Sequence, residues 1–128
     1  MILLDTSVLV EALTGPRRLA PAVRDAIEAG ERILLSSLVL YEWFRGPRKP
    51  AELLAQEELF PREQALAFGA EEAAKAAELY GQVRRPRGRE IDLAIAAVAL
   101  SHGADLWTLN PSDFSDIPGL RLFSPKGG

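Results

Sequence analysis

Apolar and polar positions alternate along the chain in short blocks, and the block lengths sort them into strands and helices. Residues 1–4 form a wholly apolar run that ends in Asp5, Thr6 and Ser7, which predicts a buried strand with polar side chains at its end. A helix is predicted from about residue 8 to 13, stopped by Gly15-Pro16. Another follows over 22–29, with Pro21 suited to its first turn and Gly30 to its end. Residues 32–35 predict a second buried strand. Ser36 or Ser37 then caps a helix over 38–44, which Gly46-Pro47 breaks. Helices are predicted over 50–59 and, in a stretch rich in Ala, Glu, Lys and Leu, over 71–83. Residues 84–89 carry four arginines and two helix breakers and predict a loop. Ile91, Ala94, Ile95 and Val98 fall at helical spacing within a helix over 90–101. A strand over 104–109, a turn over 110–113 and a last short strand over 120–123 complete the series.

Short apolar strands that alternate with helices imply an α/β fold, a three-layer sandwich whose small, mainly parallel sheet is flanked by helices. In such sheets ligands bind beyond the carboxyl ends of the strands, so chemistry is expected near Asp5 and near the turn from Asn110 to Asp113.

Composition narrows that chemistry. The 128 residues, 48% of them hydrophobic, are expected to form one domain over 1–128, with 124–128 as a flexible tail. No apolar run approaches the roughly 20 residues of a membrane span, and the opening run meets Asp5 before any signal-peptide core develops. A cytoplasmic location without a membrane partner is expected. The absence of cysteine excludes disulfides, thiolate metal sites and cysteine nucleophiles. The single histidine, His102, excludes a zinc site built from several imidazoles and sits beside Gly103 at a predicted helix end, a surface position. Any metal must therefore be held by carboxylates, which favours Mg²⁺ or Mn²⁺.

Most of the 18 acidic residues lie on solvated helix faces, but four keep apolar company. Asp5 ends an apolar strand; Glu42 interrupts Leu38 to Phe44; Asp92 interrupts Ile91 to Val98; Asp113 follows the strand through Leu109. Taken singly, Asp5 suits a helix cap, Asp92 the start of a helix dipole, Glu42 an ion pair with Arg45, and Asp113 a turn. Taken together, four carboxylates with few lysines or arginines among them are costly unless a cation compensates them. A divalent ion resolves the conflict, and carboxylate-held Mg²⁺ with open water positions suits phosphodiester hydrolysis.

At these residues the chain resembles the PIN-domain ribonucleases, and among them the VapC-type toxins of bacterial toxin–antitoxin pairs. The motifs are Ile2-Leu3-Leu4-Asp5-Thr6-Ser7-Val8-Leu9, Ser36-Ser37-Leu38-Val39-Leu40-Tyr41-Glu42, Asp92-Leu93-Ala94-Ile95-Ala96-Ala97 and Leu106-Trp107-Thr108-Leu109-Asn110-Pro111-Ser112-Asp113-Phe114. They stand in the family's order, with the acids 37, 50 and 21 residues apart. The resemblance implies that Asp5, Glu42, Asp92 and Asp113 coordinate Mg²⁺ or Mn²⁺ and orient an attacking water, bordered by Thr6 and Asn110. It further implies an RNA substrate, a cognate antitoxin that holds the enzyme inactive, and a homodimer. One departure is the short stretch between Gly88 and Asp92.

An RNA substrate needs positive charge. With the four acids set aside, the formal charge of −3 becomes +1 for the remainder. Arg45, Arg48 and Lys49 after the Glu42 helix, and Arg84, Arg85, Arg87 and Arg89 before Asp92, are candidate RNA contacts; as plain solvated loop arginines they would need no function. Tyr41, Trp43 and Phe44 could stack on bases, although their helical spacing equally suits a core or a dimer contact. A PIN nuclease of RNA processing without a toxin role, and a non-catalytic metal- or partner-binding α/β domain, are the alternatives. A dehalogenase-like phosphatase is disfavoured, because Ser7 stands where that family has a second aspartate.

Overall fold

The computed structural model describes residues 1–125; of the expected tail at 124–128, residues 126–128 lie outside the described residues. Three short strands form one parallel sheet: β1 (Ile2–Leu4), β2 (Ile33–Leu34) and β3 (Asp105–Trp107). Their order is β2-β1-β3, with Ile2 opposite both Ile33 and Asp105, and Leu4 opposite Trp107. Every residue of β1 is buried, as a central strand covered on both faces must be.

Parallel neighbours require crossovers, and six helices supply them: α1 (Thr6–Leu13), α2 (Ala20–Glu28), α3 (Ser37–Arg45), α4 (Pro50–Leu59), α5 (Ala70–Gln82) and α6 (Glu90–Ser101). The helices α1 and α2 join β1 to β2, and α3 to α6 join β2 to β3. Helix α6 is the central support: Leu93 to Ala99 are all buried, and its alanines keep it thin enough to pack against α5, α3 and β3 at once. Trp43, Trp107, Phe114 and Ile95 are among the largest side chains that the core excludes from water.

The departures from expectation have local causes. Helix α1 starts at Thr6 because Asp5 occupies the N-cap position, leaving no loop after β1. Ser36, not Ser37, caps α3: its hydroxyl accepts the Val39 N–H at 3.1 Å, while Ser37 Oγ accepts the Phe68 N–H. Strand β3 stops at Trp107 instead of reaching residue 109, because Thr108 and Leu109 turn toward Asp5 and Ser7. The strand expected over 120–123 is reduced to a single bridge between Leu122 and Leu106, held by Leu106 N–H to Arg121 C=O at 2.9 Å and Phe123 N–H to Leu106 C=O at 2.8 Å. Pro118 and Pro125, which lack the donor a ladder needs, frame it. His102 lies exposed at the cap position after α6. Among the described residues no helix is long and apolar enough to cross a membrane.

Because Ile95 is fully buried at the centre of α6, Ile95→Ala is expected to cost about 2–5 kcal/mol, read as a lower urea midpoint with an unchanged m-value.

Candidate active site

The last rung of the sheet fixes the first acid. Asp5 N–H donates to the Trp107 carbonyl at 2.9 Å, continuing the β1–β3 register one residue past the strand and setting Asp5 beside Thr108. Although Asp5 sits at the N-cap of α1, its carboxylate makes no capping hydrogen bond. Its Oδ2 instead accepts the hydroxyls of Thr108 at 2.7 Å and Ser7 at 3.0 Å. Each hydroxyl is oriented from behind: Ser7 Oγ accepts the Leu109 N–H at 3.1 Å, and Thr108 Oγ1 accepts the Asn110 N–H at 3.0 Å. Two relays of backbone amide, hydroxyl and carboxylate thus converge on a side chain that is only 7% exposed, and they suit an ionised acceptor.

Glu42 reaches the same region from the second turn of α3. Its Oε1 accepts the Thr6 hydroxyl at 2.6 Å, linking α3 to the first residue of α1. The expected pair with Arg45 is present but long, 3.7 Å to Oε2, with the arginine side chain 59% exposed, which makes it a weak surface pair. Asp92 lies in the first turn of α6, and Asp113 ends a 3₁₀ turn (Pro111–Asp113) after β3. Neither of these two, nor Asp5, has an ion-pair partner among the described residues.

The four acids share one electrostatic field. Burial, followed by the like charges of Asp5, Asp113 and Glu42, pushes the Asp92 carboxyl from its ordinary 3.8 up to about 6, against a smaller opposing pull from Arg89. Among the described residues no three acidic side chains close into a finished ligand cage, so the acids converge by charge without touching. The donor set nevertheless fits a hard divalent cation: it is all oxygen, four carboxylates with hydroxyls behind Asp5 and Glu42, and under-compensated by positive charge.

The other expected residues fall in several places. Thr6 borders the site through Glu42. Asn110 is exposed and enters through its main-chain N–H on Thr108. Arg89, expected as an RNA contact, is engaged within the protein: Nη2 and Nη1 grip the two Asp116 oxygens at 2.6 and 2.9 Å, and Nη2 also donates to the Asp113 carbonyl at 2.9 Å. Arg48 is likewise occupied, lying 4.3 Å over the Trp43 ring and bonded to the Pro47 carbonyl. Arg45 lies exposed over Tyr41, and Arg85 and Arg87 line an exposed basic pocket with Tyr80, Arg84 and Pro86. Trp43 is core, whereas Tyr41 and Phe44 are exposed. The sequence reading does not single out Ser7 and Thr108, whose hydroxyls hold the Asp5 carboxylate. Their signal was available: Ser7 follows Asp5 by two, and Thr108 closes the strand that pairs beside it.

Comparison with known proteins gives the same frame. The PIN domain family matches residues 2–120. The chain is 32% identical over 124 residues to Ribonuclease VapC19 of Mycobacterium tuberculosis, covering 94% of this chain and 98% of that protein. Solved structures sharing the fold include DNA-bound VapBC from Salmonella typhimurium, at TM-score 0.75 and 23% identity over 95% of this chain and 96% of that one. A toxin–antitoxin complex from Klebsiella pneumoniae follows at TM-score 0.69 and 25% identity, covering 94% and 95%.

The raised Asp92 carboxyl sets a pH test. Because its folded pKa lies above the unfolded one, the folded state binds more protons between about pH 4 and 6, and the ionised group destabilises the fold fully above about pH 6. In buffer with chelator, Asp92→Asn is therefore expected to stabilise the fold at pH 7.5 by about 1–2 kcal/mol after allowance for partial exposure, read as a higher melting temperature, and to give no gain at pH 4. Thermal melts of both proteins across that range check it.

Three-stranded parallel topology and a match over nearly the whole length agree: this chain belongs to the PIN-domain family and is a homologue of the VapC ribonucleases.

Proposed function

We propose that the chain is an endoribonuclease dependent on Mg²⁺ or Mn²⁺, the toxin of a toxin–antitoxin pair, with Asp5, Glu42, Asp92 and Asp113 as its catalytic and metal-holding residues. PIN-domain ribonucleases are in general dependent on divalent metals. The observation that carries the proposal is the raised Asp92 carboxyl, pushed up by burial and then by three like charges from distant parts of the chain, which the pull of Arg89 only partly offsets. A divalent cation held by these oxygens would lower the pKa of a water and compensate charge on a phosphoryl oxygen. The protein's own contribution is placement. Ser7 and Thr108 fix the Asp5 carboxylate, Thr6 fixes Glu42, and the rigid first turn of α6 presents Asp92.

RNA would approach over the exposed arginines on either side. Arg45 stands beside Glu42, and Arg85 and Arg87 stand on the loop leading into α6. Their freedom from internal ion pairs among the described residues, Arg45 excepted, suits phosphate contact. A cognate antitoxin and a homodimer are proposed by likeness to the VapBC and toxin–antitoxin complexes that share the fold.

The test is a cleavage assay on single-stranded RNA with purified, partner-free protein. Mn²⁺ or Mg²⁺ is expected to support cutting and a chelator to stop it, and Asp5→Asn should lose more than about 100-fold, beyond the usual cost of an outer-shell change. Intact RNA alongside measurable metal binding would favour a binding domain instead. In the same preparation, Arg85→Gln with Arg87→Gln should weaken RNA binding and lower the salt slope by about one per charge.

A further inference from the structure

We propose that Arg89 is a positioning residue of the acidic site: by gripping Asp116 and the Asp113 carbonyl it clamps the turn that carries Asp113 against the first turn of α6, which carries Asp92. The consequence for catalysis rests on the nuclease proposal above; the clamp itself rests on geometry.

The anchor end is fixed by the backbone. Arg89 is the N-cap of α6, its carbonyl accepts the Leu93 N–H at 2.8 Å, and its own N–H donates to the Pro86 carbonyl at 3.0 Å. From there the side chain, only 20% exposed, crosses to the segment after β3. Both Asp116 oxygens are taken in a forked pair at 2.6 and 2.9 Å, and the Asp113 carbonyl is taken at 2.9 Å by the nitrogen that makes the shorter of those bonds. One planar guanidinium thus joins two points of the 113–116 segment to the residue three before Asp92. A lysine ammonium, with its flexible stem and point charge, does not reproduce that fork.

The far end needs such a tie. Asp113 is exposed, and its turn is seated in the core only by Phe114 and Ile117, which lie on its later side. Asp113 and Asp92 repel, so the field that makes the site useful also drives the turn away from α6. The Arg89–Asp116 pair opposes that drift, and with its guanidinium engaged by Asp116 its pull on Asp92 stays smaller than the burial and like charge that raise that carboxyl.

The test uses Arg89→Lys, Asp116→Asn and the double variant in the full chain, with Mn²⁺ affinity of the RNA-free protein measured by calorimetry alongside single-turnover cleavage. Each single variant is expected to weaken Mn²⁺ binding about tenfold and to lower kcat to a similar extent. KM for RNA and the salt slope should stay unchanged, and the double variant should be no worse than either single, because both break the same clamp. Two results overturn the proposal: Asp116→Asn keeping wild-type Mn²⁺ affinity and kcat, or losses that add in the double variant. A rise in KM for Arg89→Lys alone, with Asp116→Asn at the wild-type KM, would return Arg89 to RNA contact. Should Arg89→Lys fail to fold, Asp116→Asn decides alone. Wild-type protein that binds Mn²⁺ but cuts no RNA, with the variants shifted as described, would remove the nuclease proposal and leave the clamp standing.

Discussion

Like charges held close together at the end of a buried sheet set the terms for everything else in this protein. Asp5, Glu42, Asp92 and Asp113 come from four separate segments, and burial together with their repulsion moves the Asp92 carboxyl up to about 6. A flexible scaffold would relax such a field by letting the side chains drift into water. Here each acid is tied at its root: Asp5 by the sheet and two hydroxyls, Glu42 by Thr6, Asp92 by the most deeply buried helix, and Asp113 by a turn seated in the core through Phe114. Rigidity and uncompensated charge together make a pre-organised site for a cation.

The core's part is to make that tension affordable. Helix α6 is apolar almost all round and fastens α5, α3 and β3 into one cluster, so a local electrostatic cost falls on the margin of a well-packed interior and not on a marginal element. The polar links at the site are short and directional, and none of them is an ion pair with a fully engaged arginine except the Arg89–Asp116 contact beside it.

Much of this was legible in the residues. The apolar blocks over 1–4, 32–35 and 104–109 point to a parallel sheet, and the four acids stand out because each breaks an apolar run or closes one. What escaped was of two kinds. Local polar geometry was invisible: nothing in the order of residues says that Thr108 turns its hydroxyl to Asp5 and so ends β3 early, or that Ser36 and not Ser37 caps α3. Long-range pairing was equally hidden. Arg89 and Asp116 are 27 residues apart, and an arginine in a basic loop carries no mark of whether it faces a phosphate or a carboxylate. Likewise 120–123 had strand composition but only one neighbour to pair with, Leu106, so it forms a bridge and no more.

The most direct measurement is the titration of the Asp92 side-chain carboxyl itself, followed by carbon-detected NMR in the whole protein with chelator and again with saturating Mg²⁺. Convergent, uncompensated acids require a midpoint near the about 6 set by burial and like charge when no cation is present, and a clear fall in that midpoint when Mg²⁺ is added. A midpoint at the ordinary aspartate value in both conditions would mean that the four carboxylates do not share a field, and the account of the site would be wrong.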